Sequence, residues 1–150
     1  MSRNARVSGG ARAGLVLLLL AGAAWTGCAR EKPKDLPNFE VVYRDGYLTT
    51  IAVAASTTEH QLEVLVRFLR QLRREDRLDA VGIRSRNRYK TGQINVFRSW
   101  EWADMKTLRT KPIPFAVLNK HIVAHYKWDQ VIHVDMGFIG YQWEQGRRIF

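Results

Sequence analysis

Ser56-Thr57-Thr58-Glu59-His60-Gln61-Leu62-Glu63-Val64-Leu65-Val66-Arg67-Phe68-Leu69-Arg70-Gln71-Leu72-Arg73-Arg74-Glu75-Asp76-Arg77 is the stretch from which the fold is read. Leu62, Leu65, Leu69 and Leu72, helped by Val66, recur at helical spacing and form one apolar stripe. Arg67, Arg70, Arg74 and Arg77 recur on the opposite side. One face is therefore suited to pack on a sheet and the other is cationic. Ser56 to Glu59 has the pattern of a capping box, in which the serine hydroxyl accepts from the third amide and the glutamate reaches back. The spacing predicts a helix from this box to between Asp76 and Leu78. Glu63, four residues before Arg67, offsets about 0.3 kcal/mol of the charge.

Outward from the helix, the flanks read as strands. Phe39 to Arg44 and Tyr47 to Ala54 are rich in β-branched and aromatic residues, and Asp45-Gly46 between them supplies a tight hairpin turn. After the helix, Ala80-Val81-Gly82-Ile83 opens a strand. If it continues, Arg84, Arg86, Arg88 and Lys90 share one face. Thr91-Gly92 reads as a turn, Gln93 to Arg98 as the return strand, and Trp100 to Lys106 as a short helix. Lys111-Pro112-Ile113-Pro114 breaks what precedes it. Phe115 to Tyr126 fits a helix, but Ile, Val, Tyr and Trp favour a strand from His121 to Trp128. Period two then puts Ile122, Ala124, Tyr126 and Trp128 on one face. Asp129-Gln130 turns into a last strand, Val131 to Met136. The expected class is α+β: a small antiparallel sheet with one long amphipathic helix packed on a face.

The N-terminal segment reads differently. Arg3, Arg6 and Arg12 precede an apolar run from Gly14 to Ala24, and small residues follow before Cys28. A basic start, a short apolar core and small residues ahead of a cut site make a secretory signal. The run is shorter than the roughly 20 residues a spanning helix needs. Trp25-Thr26-Gly27-Cys28 resembles the lipobox of bacterial lipoprotein precursors. The resemblance covers only the leader, and Trp25 stands where that family usually has leucine. It implies that Cys28 becomes diacylglycerol-modified and, after cleavage, the first residue of the mature protein. It implies residues 1–27 as signal peptide and a periplasm-facing protein of the bacterial cell envelope. Ala29 after the cysteine leans the anchor toward the outer membrane. Cys28 is also the single cysteine, so the chain forms no internal disulfide. Arg30 to Pro37, charged and broken by two prolines, reads as a tether, so residues 28–38 join the lipidated cysteine to a single domain over 39–150.

The net charge is +10, and three of the basic residues lie in the leader. The remaining excess points to acidic partners: lipid head groups or acidic envelope polymers, with nucleic acid disfavoured by export. The expected contact residues are Arg67, Arg70, Arg74 and Arg77. His121 with His125, and His133 with Asp135, would share faces on their strands and are candidates for a metal site. No His-Glu-x-x-His pattern accompanies them, no Gly-x-Ser-x-Gly elbow surrounds Ser85 or Ser99, and no phosphate-cradling glycine loop is present. The reading is a non-enzymatic binding or interaction module without an assigned cofactor. Its alternative is a metal-dependent envelope enzyme built on the four His and Asp candidates. Trp100, Trp102, Trp128, Trp143, Tyr126 and Tyr141 fill a core or line a ligand groove.

Overall fold

A computed structural model of the chain describes residues 31–83, 90–140 and 146–150. The expected signal peptide over residues 1–27, Cys28, Arg84, Arg86, Arg88, Tyr141 and Trp143 lie outside the described residues. Strands β1 (Phe39–Arg44) and β2 (Leu48–Val53) pair as the Asp-Gly turn requires, antiparallel, with an irregularity between Val41 and Tyr43. Asp45 holds that turn, its Oδ1 accepting from the amides of Tyr47 and Leu48. Helix α1 (Glu59–Arg74) then leads to β3 (Thr91–Phe97), which pairs with β2 in parallel. A parallel pair needs such a crossover, because a two-residue turn cannot reverse the chain twice. Three short helices follow, α2 (Trp100–Ala103), α3 (Met105–Leu108) and α4 (Phe115–Lys120). Antiparallel strands β4 (Ile122–Asp129), β5 (Val134–Ile139) and β6 (Arg147–Arg148) complete a six-stranded sheet in the order β1-β2-β3-β4-β5-β6. The architecture is mixed α/β with a mostly antiparallel sheet.

The leucine stripe of α1 meets the sheet. Leu62, Leu65, Val66, Leu69 and Leu72 are buried with Ile51, Ile94, Val96, Ala124, Tyr126 and Trp128. A second cluster occupies the other side, with Phe97, Ala103, Met105, Leu108, Leu118 and Ile122 at its centre. Strand residues of the two clusters alternate, Ile51 with Ala52 and Val96 with Phe97, so both faces of the central strands carry a core. Leu36 packs against the first cluster and Pro37 is buried, so the chain joins the folded unit before the expected end of the tether at residue 38.

Several local expectations are corrected. The capping box is formed by Thr58 and Gln61, not Ser56 and Glu59. Thr58 Oγ1 accepts from the Gln61 amide at 3.2 Å, and Gln61 Oε1 accepts from the Thr58 amide at 3.0 Å. The chain leaving β2 turns first, with the Thr57 amide donating to the Ala54 carbonyl, and this takes Ser56 out of the cap position. At the other end Asp76 adopts φ 55, and the Arg77 amide donates back to the Leu72 carbonyl. That left-handed closure ends α1 two residues earlier and leaves Arg77 beyond the helix. Leu78–Val81 is a 3-10 turn closed by Gly82 at φ 80, not the start of a strand. Thr91-Gly92 is not a turn. Gly92 is a strand residue whose missing side chain makes room for the Trp128 indole. Asp104 divides the expected helix at Trp100–Lys106 into α2 and α3. The 115–128 segment is both candidates in succession, helix to Lys120 and strand from Ile122. Ile122 does not share a face with Ala124, because the ladder shifts between Val96 and Phe97 and sends Ile122 into the second cluster. Val131 to His133 is a turn, and β5 starts at Val134.

Candidate functional site

The outer side of α1 carries charge in an ordered way. Glu59 and Glu63 occupy its first turns, and Arg67, Arg70, Arg73 and Arg74 its last ones. This distribution complements the helix dipole, which favours acids at the N-terminus and bases at the C-terminus. The expected contact arginines have partners. Arg67 donates to Glu63 at 2.7 Å, and Arg77 lies 3.5 Å from Glu75. Arg70 and Arg74 both donate to Asp135 Oδ2 at 3.0 Å. Arg74, Arg67 and Arg77 are 58, 52 and 48% exposed, whereas Arg70 is 25% exposed, its guanidinium 3.9 Å from the centre of the Phe150 ring. The opposite face is thus partly covered.

Asp135 is the centre of this arrangement. Besides the two arginines it accepts a hydrogen bond from the buried Tyr126 hydroxyl at 3.1 Å. Burial alone would raise its pKa. Hydrogen bonds from Arg70 and Tyr126 and the charges of Arg70 and Arg74 outweigh that and hold the carboxyl below its ordinary value of 3.8. The Tyr126 hydroxyl is pushed up, first by burial and then by the Asp135 charge. Glu63 is held down chiefly by its hydrogen bond from Arg67, with Arg147 adding to it against burial.

The four metal candidates do not come together. His121 follows α4, not on a strand, and stacks on Trp102 with ring centres 3.6 Å apart. His125 is buried in β4, its ring 4.9 Å from that of Phe138. His133 is a turn residue at φ 55 and shares no strand face with Asp135. Asp135 bonds Tyr126 on the α1 side, and His125, one residue before Tyr126, lies on the other side. Among the described residues no three His, Cys, Asp or Glu side chains are grouped to hold a metal ion. The aromatic set divides: Tyr126 and Trp128 are core, while Trp100 is 54% exposed.

Some residues were not singled out from the sequence. Arg147 is brought by β6 to Glu63 at 3.2 Å, 84 positions away, with no local signal to mark it. Arg73 lies 5.9 Å from the Trp128 ring centre. A cleft of about 330 Å³ sits at the start of α1, where Glu59, Arg98 and Arg147 rim an apolar floor of Leu62, Ile122 and Ile139. Among the described residues no helix is long and apolar enough to cross a membrane. Comparison with protein-family models, curated proteins and solved structures finds nothing that matches this chain.

Proposed function

We propose that the chain is a lipid-anchored protein of the bacterial cell envelope, whose domain is a non-enzymatic interaction module. The observation that carries the reading is Cys28 directly after an apolar run and Thr26-Gly27, ahead of the folded unit Lys32–Phe150. In this reading α1 is the one long amphipathic helix of the sheet, and its exposed arginines, Arg67 and Arg74, with Arg77 just beyond, meet lipid head groups or acidic envelope polymers. A binding role accords with how the candidate catalytic groups are used. His121 and His125 are stacked on aromatic rings, and Asp135 is occupied by two arginines and a tyrosine. Metabolic labelling with a radioactive fatty acid tests the anchor. Label is expected in the wild-type protein and absent from Cys28→Ser; equal labelling of the two would overturn the proposal.

A further inference from the structure

The end of the sheet where α1 finishes carries a feature the basic helix face does not explain. Val131 and Ile132, at the tip of the β4–β5 hairpin, are 68 and 67% exposed. The tip is held in shape. Asp129 Oδ1 accepts from the Val131 amide at 2.8 Å and the Ile132 amide at 3.2 Å, and the Gln130 amide donates to the Lys90 carbonyl at 2.7 Å. Two adjacent β-branched aliphatic side chains are thus presented to solvent by a built turn. Basic groups flank them. Lys127 precedes the turn and Lys90 is bonded to it. Arg74 reaches Asp135 and Arg73 lies over Trp128, both beside the same hairpin. Of the acids there, Asp129 is engaged by the turn, Asp135 by Arg70 and Arg74, and Glu75, which with Asp76 closes α1, by Gln71 and Arg77.

We infer that this hairpin tip is a bilayer-contact element: Val131 and Ile132 enter the interface of an anionic lipid membrane while the surrounding lysines and arginines meet its head groups. An aliphatic point inside a basic rim matches the two layers of such an interface, apolar beneath and negative above. The choice of a bilayer rests on the anchoring reading. A lipid-held domain stays near a membrane, so a weak second contact is effective there through high local concentration.

The test uses the full chain with Cys28→Ser, so that an introduced cysteine is its single thiol. An environment-sensitive dye is attached at Gln130→Cys, beside the tip, or at Ser56→Cys, beyond the other end of β2. Each protein is mixed with phosphatidylglycerol–phosphatidylcholine vesicles, with pure phosphatidylcholine vesicles, and with soluble polyglutamate. The expected result is a blue shift at position 130 on anionic vesicles alone, weakened in about 1 M salt, where the Debye length is about 3 Å. No shift is expected at position 56. Adding Val131→Asp should lower the blue-shifted fraction at least about tenfold, with circular dichroism unchanged. No shift at 130, equal shifts at both positions, an equal shift with polyglutamate, or insensitivity to Val131→Asp would each overturn the inference. These proteins lack Cys28, so the outcome is independent of acylation. Failure of fatty-acid labelling would remove the anchor and leave the tip result standing.

Discussion

Asp135 shows how one side chain ties the charged layer to the core. Its carboxylate is the hydrogen-bond acceptor for a tyrosine hydroxyl that has no access to water, and for two arginines of α1. Removing it leaves the Tyr126 hydroxyl buried without that acceptor, a loss of about 1–3 kcal/mol. Asp135→Ala should therefore destabilise by about 2 kcal/mol in urea unfolding. Arg74→Ala, at an exposed pair, should cost under about 0.5 kcal/mol. Comparable losses from the two would mean that the hydroxyl is satisfied elsewhere. The pH dependence follows from the same contacts. The folded-state pKa of Asp135 is depressed, so below 3.8 the unfolded chain takes up this proton more readily than the folded one. The stabilisation is complete above the ordinary value and is lost as pH falls through the folded value. Asp135→Asn should flatten the acid limb of a stability–pH curve in that window; a limb of unchanged slope would show that Asp135 does not contribute to it.

At the scale of elements, α1 permits two comparisons. The cap is Thr58, so Thr58→Ala should cost about 1 kcal/mol. Ser56→Ala, in the preceding turn, should stay within about 0.5 kcal/mol. Thermal unfolding of both variants checks this, and a larger loss at Ser56 would place the helix start two residues earlier. On the packed face, Leu69→Ala should cost about 2–5 kcal/mol, because Leu69 is fully buried at 0% exposure. Arg70→Ala should fall between that and a surface change, at about 1 kcal/mol, since its guanidinium covers the Phe150 ring. Denaturant midpoints of the two variants give the order. An Arg70 variant as stable as wild type would mean the stacking contributes nothing.

At the scale of the molecule, the boundary between tether and domain can be measured. Leu36 packs on the α1-side core and Pro37 is buried, so a chain beginning at Lys32 should unfold with its full stability. A chain beginning at Phe39 should lose about 1–3 kcal/mol through the exposed apolar surface. Equal melting temperatures would return residues 32–38 to the tether. This boundary was not legible in a charged, proline-broken segment, because Leu36 finds its contact on a surface made by distant strands. The same distinction runs through the fold. The β1–β2 hairpin and the buried stripe of α1 could be read directly, since an Asp-Gly turn and a repeat of leucines act within a few residues. Whether Ser56 or Thr58 caps α1 depended on how the chain turns out of β2. Gly92 looked like a turn residue because its role is to admit Trp128, 36 positions away. The arginines looked like one free face because Asp135, the partner of Arg70 and Arg74, lies 65 and 61 positions away. The elements whose energy is local were legible, the helix stripe and the tight hairpin, and with them the mixture of helix and mostly antiparallel sheet. Tertiary structure decided the second core, the face of Ile122, the separation of the histidines and the exposed hairpin tip, because those depend on strand register and on contacts that no short window contains.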